Sequence, residues 1–154
     1  MDIGFFTMPI HPIDKDYKKS LSEDRQAFLL ADRIGFSEAY CGEHVTDSAE
    51  NITSSALFIA SIASCTKNIR LGTGTVNMPN SHPAAIAGQI AMLDHMLDGR
   101  LNFGISPGGL APDTTSVYFT WSLFRAADIE CKYAMPLFGY KYTLGYSYRG
   151  RRPR

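Results

Sequence analysis

Seven side chains able to move a proton or hold a ligand fall into four short segments of this sequence: His11, Glu43, His44, Asn77, His82, Ser106 and Asp113. Each segment follows a run that reads as a β-strand, with loops opening near Pro9, Gly42, Val76 and Ser106. In α/β folds the loops after the strand C-termini carry the chemistry. Three of the four histidines therefore share one predicted face, while His95 falls inside a predicted helix, where a structural role is expected. Imidazole changes charge near neutral pH, so a histidine at such a face suits general acid–base work. His44, with Glu43 beside it, is the leading candidate. An isolated loop histidine is more often an ordinary surface residue, and it is the clustering that separates His44 from that reading.

Other patterns point to chemistry less well. The sequence has no His-Glu-x-x-His or Cys-x-x-Cys, so no metal site is expected. Gly72-Thr73-Gly74 follows strand residues like a dinucleotide fingerprint, but the third glycine is replaced by Asn77 and no helix begins at once. Gly74 better suits a tight backbone turn. Gly104-Ile105-Ser106-Pro107-Gly108 has the spacing of a hydrolase nucleophile elbow. There the residue after the nucleophile must donate its N–H to an oxyanion, and Pro107 has none. The stretch from Ser106 to Asp113 could instead wrap a cofactor, since glycines admit close approach of a ligand; a plain connecting loop fits its spacing equally. Arg149, Arg151, Arg152 and Arg154 could attract phosphate, although arginines at a terminus usually form a solvated tail.

The elements that must position these residues alternate. Ile3 to Met8 reads as a buried strand closed by Pro9 and Pro12. Ser20-Leu21-Ser22-Glu23 fits a capping box opening a helix whose apolar face is Ala27, Phe28, Leu30, Ala31 and Ile34, with Gly35 as its stop. Glu38 to Cys41 is a second strand, Gly42 to Asn51 a polar loop, and Ala56 to Cys65 a second helix. Ile69 to Val76 forms a third strand, and Pro83 opens a helix running to Gly99. Arg100 to Ile105 is the fourth strand. Strand starts recur at roughly 31 to 36 residues, close to the about 30 of one βαβ unit, so the sheet is parallel. A doubly wound sheet and a (β/α)8 barrel both fit. A barrel needs about 250 residues, so four units are half of one, with two unpaired edges that invite aggregation unless covered.

Composition is that of a folded domain: 154 residues, 45% hydrophobic, 19% charged, with zero formal net charge. That balance gives no reason to expect a nucleic-acid, membrane or acidic partner. Nothing resembles a signal peptide or a bilayer-spanning run. Cys41, Cys65 and Cys131 lack metal-like spacing and read as reduced thiols of a cytoplasmic protein. A break occurs after Asp113. Up to it the chain has 8 Lys+Arg against 13 Asp+Glu; beyond it, 7 against 2. The last 41 residues also hold 10 of the 18 aromatics. The expected organisation is a unit over 1–113 and an atypical aromatic, basic tail over 114–154.

Several motifs in register make the reading more specific. Ile3-Gly4-Phe5-Phe6, Ala31-Asp32-Arg33-Ile34-Gly35-Phe36, Gly42-Glu43-His44, Ile69-Arg70-Leu71-Gly72-Thr73-Gly74, Pro79, His82-Pro83, Leu93-Asp94, Gly99-Arg100 and Phe103-Gly104-Ile105-Ser106-Pro107-Gly108 resemble the luciferase-like monooxygenase family in order and spacing. The Gly-Ile-Ser-Pro-Gly-Gly stretch is more similar to the family's flavin-dependent hydroxylases than to its light emitters. The resemblance covers residues 2–113 and implies the first four units of a (β/α)8 TIM-barrel-type α/β fold. It implies reduced FMN bound at the C-terminal face, O2 and a small organic substrate as reactants, and a separate flavin reductase as partner. A homo- or hetero-oligomer is compatible with it. His44 matches the family's site histidine and is assigned acid–base work, and Glu43, which precedes it in the motif, is the second catalytic candidate. Gly74-Thr75 matches the family's non-proline cis peptide under the flavin ring. Ser106 and Asp113 match loop positions near the flavin, and His82, with Asn77, the pocket rim.

The chain also departs from the pattern. Where the luciferase catalytic subunit carries an arginine for the flavin phosphate, just after the position of Ser106, this chain has Pro107. Thr114 to Arg154 shows none of the family's continuation and reads as a shifted frame or a truncated gene; a genuine segment covering the open sheet edge is the alternative. Two further readings stand beside the monooxygenase: a deazaflavin-dependent dehydrogenase of the same fold, and a catalytically inactive remnant or interaction module.

Overall fold

The computed structural model describes residues 2–108; Asp113, Cys131 and the tail lie outside the described residues. Strand β1 (Gly4–Thr7) leads to helix α1 (Tyr17–Arg33) and strand β2 (Glu38–Cys41). Helix α2 (Ser55–Ala63), strand β3 (Arg70–Thr73), strand β4 (Val76–Asn77) and a short 3-10 turn (Met78–Asn80) follow. Helix α3 (Pro83–Met96) and strands β5 (Leu101–Asn102) and β6 (Ile105–Ser106) complete the order. The third and fourth strands expected from sequence are each divided in two. β3 and β4 are separated by a cis peptide at Gly74-Thr75.

All pairings are parallel. β1, β2, β3 and β5 lie side by side in sequence order, and β4 pairs with β6. Gly4, Glu38 and Arg70 share one register row; Phe6, Tyr40, Gly72 and Asn102 share the next but one. One sheet face is covered by helices. Ala39, Cys41, Leu71 and Leu101 from the strands pack with Phe28 and Ala31 of α1, Phe58, Ile59 and Ile62 of α2, Leu93 of α3 and Leu97 just after it. The Phe28 ring meets Phe5 and Phe58 edge-on, with centroids 5.3 and 5.2 Å away, each pair adding about 0.5–1.5 kcal/mol beyond burial. The opposite face carries Gly4, Phe6, Glu38, Tyr40, Arg70, Gly72 and Asn102. A doubly wound sheet needs helices on both faces and a reversal of strand order. This sheet has neither among the described residues, and that decides for the barrel type, whose helices all lie outside.

The inward face is polar at its floor. Arg70 donates from Nε and Nη2 to Asn102 Oδ1 at 3.0 and 2.7 Å. Asn102 Nδ2 donates to the Tyr40 hydroxyl at 2.9 Å and to Glu38 Oε2 at 3.2 Å. Tyr40 donates to Glu38 Oε2 at 3.0 Å, and burial together with this carboxylate pushes the phenol above its ordinary value. Phe6 is 59% exposed, so β1 is not the buried strand that its apolar run predicts. Among the described residues β1 ends the sheet, and only its outward residue Phe5 is packed against the core.

The start of α1 also differs from expectation. Asp16, not Ser20, is the N-cap, accepting from Lys19 N at 2.8 Å. Ser20 is buried in the first turn and donates its hydroxyl to the Asp16 carbonyl at 3.2 Å. Glu23 pairs with Lys15 instead of reaching back to a cap. Gly35 and Gly99, at φ +87° and +74°, follow α1 and α3 in the left-handed conformation that glycine adopts without strain. Pro83 opens α3 as expected.

Candidate active site

The C-terminal ends of the strands collect most of the residues singled out from the sequence. Glu43, directly after β2, is 7% exposed. Its Oε2 accepts from Ser55 N at 2.9 Å and Ser55 Oγ at 2.8 Å, and its Oε1 accepts from Asn77 N at 2.7 Å. Its backbone carbonyl accepts from Asn77 Nδ2 at 3.0 Å. A buried carboxylate is tolerated when donors surround it, and Glu43 uses three to fasten β2, α2 and β4 together.

Asn77 continues the network. Its Oδ1 accepts from Ser106 Oγ at 3.0 Å. Ser106 Oγ in turn accepts from Thr75 Oγ1 at 2.6 Å and from Gly108 N at 3.2 Å. A hydroxyl has one donor and two acceptor sites, so Ser106 is fully engaged and braces the loop after β6. The Thr75 hydroxyl keeps its own lone pairs, because it donates to Ser106. The Gly74-Thr75 peptide is cis, at the position indicated by the resemblance, and both residues are partly exposed. A Cβ on Gly74 would come within 2.8 Å of the Phe6 ring, so the backbone and this aromatic ring lie close together at the mouth of the sheet.

His44 sits in the same rim, half-buried. Its Nδ1 contacts the Glu50 carboxylate, and its backbone N–H donates to the Ile52 carbonyl at 3.0 Å. Glu50 and Ser55 were not singled out in the sequence. A carboxylate six residues after a histidine carries no signal until the loop is seen to fold back. His11 joins a separate group: Nε2 lies 2.8 Å from Asp24 Oδ1, and Lys15 Nζ donates to Nδ1 at 3.1 Å. His82 is exposed and serves as the N-cap of α3, its Nδ1 accepting from Ala84 N at 3.2 Å. It has no hydrogen bond to the Glu43–Ser106 network. Behind the network, the buried Cys41 thiol is pushed far above its ordinary value by burial and by the Asp24 and Glu43 carboxylates, so it is an inert core residue.

A flat aromatic cofactor with polar edges suits this mouth. Phe6 and the Gly74 backbone offer an apolar platform, while Thr75 offers a hydroxyl. Among the described residues, no helix is long and apolar enough to cross a membrane, and no group of three or more His, Cys, Asp or Glu is arranged to hold a metal ion.

Known proteins agree with this architecture. Over 113 residues the chain is 38% identical to limonene 1,2-monooxygenase of Rhodococcus erythropolis, covering 73% of this chain and 29% of that protein. Over 96 residues it is 38% identical to the oxygenase component of the flavin-dependent trigonelline monooxygenase of Acinetobacter baylyi, covering 62% and 27%. A solved structure, the oxygenating constituent of the Pseudomonas putida 3,6-diketocamphane monooxygenase in complex with FMN, superposes with a TM-score of 0.73 at 22% identity. It covers 96% of this chain and 43% of that one. The chain thus spans under a third of the length of these curated relatives, and its fold is that of the (β/α)8 TIM-barrel type. With the family pattern matching residues 1–125, the chain belongs to the luciferase-like monooxygenases.

Proposed function

We propose that the whole protein is a flavin-dependent monooxygenase that takes reduced FMN from a separate reductase and uses O2 to oxygenate a small organic substrate. The observation that carries this reading is the Thr75–Ser106–Asn77–Glu43 brace beside His44 at the C-terminal rim, in a chain of this family. The named relatives support the flavin and the oxygenation, and the description of one as an oxygenase component supports the reductase. Bound at the rim, reduced flavin would supply the electrons that activate dioxygen.

The residues divide the remaining work. The Gly74-Thr75 backbone and the Phe6 ring would hold the flavin ring, with the Thr75 hydroxyl available to hydrogen-bond it. Phe6 also helps exclude water, which strengthens electrostatic contacts in the site. Ser106, Asn77 and Glu43 are positioning residues; their hydrogen bonds are spent on one another and on Ser55. Acid–base work is proposed for His44, which accepts or returns a proton as substrate oxygenation proceeds, with Glu43 supporting it as a positioning residue. His82 at the surface and Asp113 beyond the described residues complete the proposed rim and loop contacts on the family pattern.

The test is titration of the chain with FMN, followed by O2 uptake and product formation with a reductase and a panel of small cyclic ketones and alkenes. His44→Ala is expected to leave FMN affinity within a few-fold and to lower oxygenation by about 100-fold or more, the usual size of a lost acid–base group. Anaerobic hydride transfer to a deazaflavin without O2 uptake would replace this reading with the dehydrogenase. A cooperatively folded chain that binds no flavin would replace it with the inactive module.

A further inference from the structure

The loop joining β2 to α2 is folded back and clamped. His44 N–H to the Ile52 carbonyl closes it, and Asp47 Oδ1 accepts from Ala49 N at 2.8 Å inside the turn. From the neighbouring loop, His11 N–H donates to the Ala49 carbonyl at 2.9 Å, and the Tyr17 hydroxyl donates to the Asn51 carbonyl. Glu43 anchors the two ends of the loop to each other, since it precedes His44 and holds Ser55. Within this frame Glu50 returns to meet His44 Nδ1. The two side chains are 13% and 17% exposed, so the contact is largely removed from water. A charge-assisted hydrogen bond in such surroundings is stronger and more directional than an exposed ion pair.

We propose that Glu50 is a positioning residue for His44, holding the imidazole proton on Nδ1 so that Nε2 carries the lone pair that exchanges protons in the site. The inference rests on the reading of His44 as the acid–base group. Its logic is that of donor and acceptor inventory. An ionised carboxylate only accepts, and a neutral imidazole has one N–H and one bare nitrogen. The nitrogen facing Glu50 must then be the one bearing hydrogen, and the tautomer is set before any ligand arrives. Four hydrogen bonds to the loop's main chain, two of them between backbone groups, keep Glu50 from swinging away, so the arrangement is built into the loop.

An ordinary ion pair that merely steadies the loop would have the same geometry but would not govern the histidine in a spectroscopically distinct way. The test is long-range proton–nitrogen NMR of the histidine rings in the full 154-residue chain at alkaline pH, where imidazoles are neutral, with His44 assigned by its loss in His44→Gln. In the wild type we expect a protonated Nδ1 and a bare Nε2. In Glu50→Ala we expect the ratio of the two tautomers to invert, and in Glu50→Asp to be partly retained. A wild-type His44 bearing its proton on Nε2 overturns the proposal without any variant, which covers the case in which Glu50→Ala fails to fold. A folded Glu50→Ala chain with an unchanged tautomer overturns it equally. FMN titration of the same samples separates this inference from its parent: an Nδ1–H tautomer in a chain that never binds FMN leaves the Glu50 assignment standing and sinks the flavin reading.

Discussion

The two ends of the same parallel sheet use the polar residues of their connecting loops differently. At the N-terminal end, the side chains that close the connections between helices and strands are spent on main chain, beside the Arg70–Asn102–Tyr40–Glu38 network of the inward face. Asp32, at the end of α1, accepts from Lys67 N, Asn68 N and Ile69 N at 3.1, 2.9 and 2.8 Å, fixing the entry to β3. Arg100, just before β5, donates to the carbonyls of Ala63, Thr66 and Ile69 at 3.4, 3.1 and 2.7 Å and to Thr66 Oγ1 at 3.3 Å, closing the end of α2. At the C-terminal end, side chains bond to side chains from other elements, as in Thr75–Ser106–Asn77 and Ser55–Glu43, as well as to the main chain of Ser55, Asn77 and Gly108. That end keeps an imidazole and a partly exposed peptide at an open mouth. The first arrangement locks connections; the second holds the groups to which the proposed function assigns a ligand. This is the division between stability and catalysis expected of the two ends of a (β/α) barrel.

The comparison breaks most visibly at Arg100. Arg100→Met keeps much of the apolar stem and removes the guanidinium from four acceptors. Charge-assisted hydrogen bonds contribute about 1.5–3 kcal/mol each but are not additive, so we expect a loss of about 3 kcal/mol in denaturant unfolding. FMN affinity of the folded fraction should change by less than about two-fold, the least a pure stability site allows. A ten-fold loss of affinity with unchanged stability would erase the distinction between the two ends.

The sequence already distinguishes these ends poorly, because the motifs that carry the resemblance come from both. Asp32, Gly35 and Arg100 belong to the locking end, Glu43, His44, Gly74 and Ser106 to the ligand end, and motif matching treats them alike. What was legible was periodic: strand starts read near residues 3, 38, 69 and 101 fall at 4, 38, 70 and 101. The helix start was less so. Two caps lie four residues apart, and the earlier one prevails because Asp16 reaches Lys19 N and leaves Ser20 to be buried. The barrel itself was one of two open architectures until the helices were seen to cover a single face. The Glu50 contact depends on a backbone bond between His44 and Ile52, which no residue type announces.

Asp32 sharpens the comparison through pH. Burial opposes ionisation of its carboxyl, but the three backbone N–H groups of Ile69, Asn68 and Lys67 outweigh it, and the folded value lies below the ordinary 3.8. A depressed folded value means that the ionised form is favoured by folding. Its stabilisation is therefore fully present above pH 3.8 and is lost as pH falls through the lower folded value. The carboxylate is partly exposed, so screening holds the effect to about 1.5 kcal/mol. Asp32→Ala should show that deficit at pH 7 and pH 5, and the gap to wild type should close as the solution is acidified below 3.8. A constant gap at all pH values would mean that packing, not the ionised carboxylate, is what the substitution removes.

Ser106→Ala gives the smallest stability effect and the clearest test of the ligand end. The change removes one hydroxyl and leaves Thr75 Oγ1, Gly108 N and Asn77 Oδ1 short of a partner. Thr75 and Gly108 are partly exposed, so water can replace part of what they lose, while Asn77 is buried, and we expect about 1 kcal/mol in unfolding. The brace, however, sets both the Thr75 hydroxyl and the loop after β6. With that loop free to move, FMN affinity should fall by about ten-fold, equivalent to 1.4 kcal/mol at 25 °C. Ser106→Thr retains the hydroxyl and should recover most of the affinity, because the hydrogen bonds rather than the side-chain volume are what position the loop. Equal losses in both variants would show that Ser106 contributes by shape alone, and the C-terminal brace would then be no different in kind from the lock at the other end.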